Sequence, residues 1–132
     1  MGAKDFRELR VYQLAFECAV RIYEISKGFP PEERYSLTDQ IRRSSRSVCA
    51  NIAESWRKRR YPKSFVTKLT DADSEAAETS VWLDFSLSFN YITPDVHREL
   101  ADNYDHLCSQ LALMMAEPEK WMPSREATRR SG

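Results

Sequence analysis

Residues 36–56 read SLTDQIRRSSRSVCANIAESW, and the spacing of their apolar side chains decides the fold. Leu37, Ile41, Val48, Ile52 and Trp56 recur at helical steps, with Ser44 and Ser45 filling the gap in the stripe. Ser36 stands where a hydroxyl can cap the free amides of a helix start, and Asp39 supplies an acidic first turn. The middle of the segment is built from small residues, Ser44, Ser45, Ser47, Cys49, Ala50 and Ala53, which let another helix come close.

The same period extends to either side. Upstream, Val11, Leu14, Ala15, Cys18, Ile22, Ile25 and Phe29 form one stripe of a helix running to about Lys27. Gly28 reads as its stop, and Pro30-Pro31 blocks continuation. Downstream, Arg59-Arg60-Tyr61-Pro62 breaks the chain before a third helix from Pro62 to about Asn90, with Phe65, Leu69, Ala72, Ala76, Leu83 and Leu87 as its stripe. Trp82, Phe85 and Phe89 add a second apolar face, more than one bundle interior needs, and this predicts an oligomer interface.

Thr93-Pro94 marks a fourth helix, a hydroxyl cap followed by proline at the first helical position. It carries Leu100, Tyr104, Leu107, Leu111 and Met114 and ends by Pro118. Residues 118–132 show no periodicity and read as a mobile C-terminal tail, with Trp121 and Met122 able to pin part of it. Short connections favour antiparallel neighbours. The expected fold is therefore all-α, an up-and-down antiparallel four-helix bundle over residues 1–117.

At 132 residues, 42% of them hydrophobic and 30% charged, the chain has the size and balance of one globular domain. No apolar run reaches the length of a membrane span, and the N-terminus carries no apolar signal segment. Cys18, Cys49 and Cys108 are odd in number and widely separated, which argues against a disulfide framework or zinc site and for the reducing cytoplasm.

Candidate catalytic groups are sparse. His97 and His106 form no Glu-x-x-His pair of the kind that holds metals in bundles, so no metal is expected. Cys49 follows Arg46 by three residues, and nearby positive charge lowers a thiol pKa; without a neighbouring base, a packed, inert thiol is the better reading. Three scattered glycines build no phosphate loop. No catalysis, cofactor or small-molecule substrate is expected.

The charge is informative in its placement. Residues 42–68 carry Arg42, Arg43, Arg46, Arg57, Lys58, Arg59, Arg60, Lys63 and Lys68 against Glu54 alone, a net +8. Residues 71–105 carry nine acids against Arg98, a net −8. Arg57 and Lys58 suit a helix C-terminus, but Arg59, Arg60 and Lys63 gather at the start of the third helix, an anion-binding corner. Trp56 and Tyr61 beside them can stack on bases or simply pack. A solvated loop is the plainer explanation of the same cluster. Arg42, Arg43 and Arg46 lie off the apolar stripe and face solvent or another subunit, where acidic helices of a second copy could meet them.

Tyr35-Ser36-Leu37-Thr38-Asp39-Gln40-Ile41-Arg42-Arg43-Ser44-Ser45 followed by Asn51-Ile52-Ala53-Glu54 resembles the signature of a bacterial family. Its members are the four-helix-bundle proteins encoded in intervening sequences of large-subunit ribosomal RNA genes. Phe6 to Ala15, Phe29-Pro30 and Tyr91-Ile92 share the likeness, which covers roughly residues 6 to 115. Cys49 stands where that family usually has proline, and Ser55-Trp56 where it has a glycine-led turn, so the second helix is expected to run on.

The resemblance implies a homopentameric ring and, through a distant likeness to the accessory protein of diversity-generating retroelements, a role beside nucleic acid. The expectation is a non-enzymatic oligomeric accessory protein. It binds RNA or an RNA–protein complex through Arg42, Arg43, Arg46, Arg57, Lys58, Arg59, Arg60 and Lys63. The alternative is a self-assembling scaffold or protein-interaction module with no nucleic-acid role.

Overall fold

The computed structural model describes residues 2–123. Four helices carry the fold: α1 (Arg10–Ser26), α2 (Leu37–Arg57), α3 (Pro62–Ser88) and α4 (Pro94–Ala116). Each helix packs on its sequence neighbours, α1 also packs on α4, and the diagonal pairs do not meet. That closed square with short connections is an up-and-down four-helix bundle. Short 3-10 turns precede α1 (Phe6–Glu8), join α1 to α2 (Pro31–Glu33) and follow α4 (Pro118–Trp121).

The apolar stripes supply the core. Ile22, Ile41, Val48, Ile52, Phe65, Leu69, Leu83, Leu100, Leu107 and Leu111 are fully buried. Each such side chain contributes about 1.5–3 kcal/mol on leaving water. The most extensive contact is between α2 and α3. Ser44 and Ser45 on α2 and Ala72 and Ala76 on α3 are buried, so neither helix holds the other off with bulk. Inside this seam Thr79 donates to Ser44 Oγ at 2.8 Å, joining the two helices through buried hydroxyls.

Helix ends follow the expected signals in part. Thr93 accepts from the Val96 amide at 3.2 Å and caps α4, with Pro94 at its first position. α2 runs without interruption through Cys49 and Ser55 to Arg57. Ser36 does not cap α2; its hydroxyl donates to Glu33 Oε1 at 2.6 Å. The Glu33 carboxylate gathers that hydroxyl and the Tyr91 hydroxyl (3.0 Å), so the α1–α2 and α3–α4 connections are tied at one end of the bundle. α1 stops at Ser26 with Gly28 two residues on, as expected, and without a positive φ at the glycine. α3 instead ends with Asn90 at φ 62°, and the Tyr91 amide closes the turn on the Ser86 carbonyl at 2.8 Å.

Trp121 and Met122 lie partly buried against the core beside the Pro118–Trp121 turn. The rest of the segment read as a tail, residues 124–132, lies outside the described residues.

Candidate nucleic-acid interface

The corner between α2 and α3 is built by three consecutive events. α2 ends at Arg57, the Lys58 amide closes on the Glu54 and Ser55 carbonyls, and the Tyr61 amide bonds the Lys58 carbonyl at 2.9 Å. Pro62 then opens α3, whose N-terminus has no side-chain cap and no acid in its first turn. Free amides at a helix start carry partial positive charge and suit anions. Arg57, Lys58, Arg60 and Lys63 surround this end and are exposed. Among the described residues, none of these four, nor Arg59, forms an ion pair.

Arg59 is held differently from its neighbours. It is half-buried, its guanidinium lies over the Trp56 ring at 3.9 Å, and Nη1 donates to the Trp56 carbonyl at 2.9 Å. Burial, and then the charge of Arg60, push its pKa down from the usual arginine value. Tyr61 stands exposed next to it.

The α2 arginines separate into two roles. Arg43 crosses to α3 and pairs with Glu75 at 3.3 Å and with Glu78. The Glu78 hydrogen bond raises the Arg43 pKa; Arg43 in turn holds the Glu78 carboxyl below the usual range, while burial lifts that of Glu75. Arg42 donates through Nε to Ser26 Oγ at 2.8 Å, and Arg42 and Arg46 flank the Tyr23 ring at 4.8 and 5.9 Å. Arg46 and Arg57 are three turns apart on one helix face, about 17 Å at 1.5 Å per residue. Lys68 is engaged with Glu54 at 2.8 Å. Arg57 to Lys63 thus form one cluster, Arg42 and Arg46 a second, and Arg43 is engaged at the surface with the α3 carboxylates.

The aromatic residues expected at an interface form a row. Trp82 is partly buried against the core, while Phe85 and Phe89 are 45% and 48% exposed. Ring centroids run Trp82–Phe85 6.1 Å, Phe85–Phe89 5.7 Å and Phe89–Tyr91 5.7 Å. A second apolar surface escaped the sequence reading: Phe16 and Val20, 51% and 46% exposed, and Tyr23 line a groove of about 620 Å³ floored by Ala19, Cys49, Ala50 and Ala53. Its signal was the spacing of four and three between Phe16, Val20 and Tyr23, beside the core stripe of α1.

Burial pushes the Cys18 and Cys108 thiols up to about 12 and the Cys49 thiol up to about 11, so Arg46 does not activate Cys49. Thiols so protonated are poor nucleophiles at neutral pH. His97 Nε2 lies 2.8 Å from Asp84 Oδ1, a link between α4 and α3. Among the described residues no cluster of ligating side chains could hold a metal, and no helix is long and apolar enough to cross a membrane.

Residues 7–112 match the family model described as 23S rRNA-intervening sequence protein. The chain also resembles the crystal structure of a protein of unknown function from the S23 ribosomal protein family of Bacteroides thetaiotaomicron. Identity is 29% and the TM-score 0.72, over 80% of this chain and 95% of that one. No curated protein matches.

Proposed function

The chain belongs to the 23S rRNA-intervening sequence protein family, and on that premise we propose that it is a non-enzymatic, oligomeric accessory protein that holds RNA, or an RNA–protein complex, at the α2–α3 corner. One observation carries the reading: Arg57, Lys58, Arg59, Arg60 and Lys63 lack carboxylate partners among the described residues while surrounding an uncapped helix start. Arg43 and Lys68, in the same basic segment, find carboxylate partners across the α2–α3 seam, so the Arg57–Lys63 cluster differs from its basic neighbours on these two helices. Phosphate binding by such a cluster releases counterions, and affinity therefore falls steeply with salt. A mobility-shift titration across salt tests the reading. Absent or salt-insensitive RNA binding, or binding unchanged when Arg57, Arg59 and Arg60 are replaced by alanine, overturns it.

The scaffold reading has its own support in two unlike apolar surfaces, the α1–α2 groove and the Phe85–Phe89 row. Unlike surfaces that meet head to tail generate rings when the rotation closes. Five copies is the number the family resemblance implies. Assembly and RNA binding are compatible, since a ring repeats the basic corner and raises avidity for a long polyanion.

A further inference from the structure

The end of α2 and the Pro118–Trp121 turn enclose an open cavity of about 390 Å³ lined by Ala3, Trp56, Arg59, Lys120, Trp121 and Met122 among others. Its size falls within the range of small-molecule sites, about 300–1,000 Å³. Its wall is not a solvated basic surface. Two tryptophans and a half-buried guanidinium meet there, and neither the Trp56 ring, 6% exposed, nor the Arg59 side chain is free to sweep through solvent.

We propose that this cavity binds a nucleotide, with the base stacked against the Arg59 guanidinium and Trp121 and the phosphate held by Arg59 and Lys120. The inference deepens the RNA reading by naming what a single nucleotide meets at the corner. Three features suit the two halves of such a ligand. Arg59 already lies over Trp56, its guanidinium carbon 3.9 Å from the ring centroid, and is fixed by its bond to the Trp56 carbonyl, so a second ring placed against it costs little further side-chain freedom. The guanidinium has no carboxylate partner among the described residues although burial and Arg60 both disfavour its charge, and an anion relieves both effects. Lys120 stands at the cavity wall with its ammonium next to Glu117, available to a stronger anion. A peptide acid would satisfy the cations but leave the aromatic walls without a flat partner.

Calorimetric titration of the full chain with adenosine monophosphate, adenosine and inorganic phosphate tests this. The expected result is saturable binding of the monophosphate, with adenosine and phosphate each at least about tenfold weaker, because stacking and phosphate contact are both needed. Arg59→Lys keeps the charge and removes the guanidinium; it should weaken the monophosphate about tenfold while salt-dependent binding of long RNA persists. Trp121→Ala, checked for helicity by circular dichroism, should do the same. Displacement of the monophosphate by a 5′-phosphorylated oligonucleotide identifies an RNA end as the source, and failure to displace identifies a free nucleotide. No saturable binding of the monophosphate, or an affinity unchanged in both variants, overturns the proposal. RNA binding that survives either result leaves the broader reading standing; loss of RNA binding with the monophosphate still bound sinks the broader reading alone.

Discussion

Arg43 on α2 donates through Nη2 to the Glu78 carboxylate on α3, so one arginine of the basic segment is neutralised within its own chain. Charge counted along the sequence therefore overstates the charge presented to a partner. Arg43→Ala should leave RNA affinity within about twofold and cost about 1 kcal/mol or less of stability, the range of partly exposed ion pairs. The Arg57, Arg59 and Arg60 triple alanine variant should lower RNA affinity roughly tenfold or more at low salt and flatten its salt dependence. Paired mobility-shift and urea-denaturation measurements separate the two outcomes.

The proposed assembly through unlike apolar faces makes a second demand. Phe85→Asp on the α3 row and Phe16→Asp in the α1–α2 groove should each reduce the solution mass to the 15.4 kDa of one chain with helicity retained, since both side chains are half exposed in the isolated bundle. Light scattering coupled to size-exclusion chromatography reads the mass directly. A mass that neither substitution changes removes both faces from the interface.

Acid should loosen the end of the bundle where Glu33 sits. The Ser36 hydroxyl first, then the Tyr91 hydroxyl and Leu37 amide, hold the Glu33 carboxyl below its usual value of 4.5. A depressed carboxylate contributes stability that is fully present above the unfolded pKa and is lost as pH falls through the folded one. Glu78, lowered by Arg43, acts in the same sense, and Glu75, raised by burial, opposes it. Glu33→Gln should therefore be less stable than the parent at neutral pH, with the gap closing as pH falls through the carboxylate range. Urea midpoints followed by circular dichroism along that range check the sign.

Gly28 needs none of the freedom that glycine offers. Its φ is not positive, and a Cβ there would meet only the Ile25 carbonyl oxygen at 3.5 Å, an ordinary contact. Gly28→Ala should raise stability by about 0.4–1 kcal/mol by restricting the unfolded chain. A thermal midpoint that falls would show strain at this position.

Four helices, their order and most of their core were legible in the sequence because Ile41, Val48, Leu69 and Leu107 repeat at the helical period and need no distant information. Proline marked the starts of α3 and α4 for the same local reason. Ser36 misled because a hydroxyl at a helix start has a choice of partners, and the choice fell on Glu33, which the Pro31–Glu33 turn brings back. Arg43 could not be read at all from its neighbours, since Glu75 and Glu78 are 32 and 35 residues away and meet it only once α2 and α3 have packed. The Trp56–Trp121 cavity lay further still from local signals, because it joins the end of α2 to a turn beyond α4.

The α2–α3 seam also sets an order of events. These helices adjoin in sequence, share the broadest contact of the fold and lock through Ser44 and Thr79, whereas α1 and α4 must bring together distant parts of the chain. Closing the shorter loop costs less entropy, so the α2–α3 hairpin is the expected folding nucleus and the α1–α4 contact the late step. The basic corner lies at the tip of that hairpin. On a growing chain, the corner is therefore expected to take shape ahead of the α1–α4 contact, which must wait for α4 to be made.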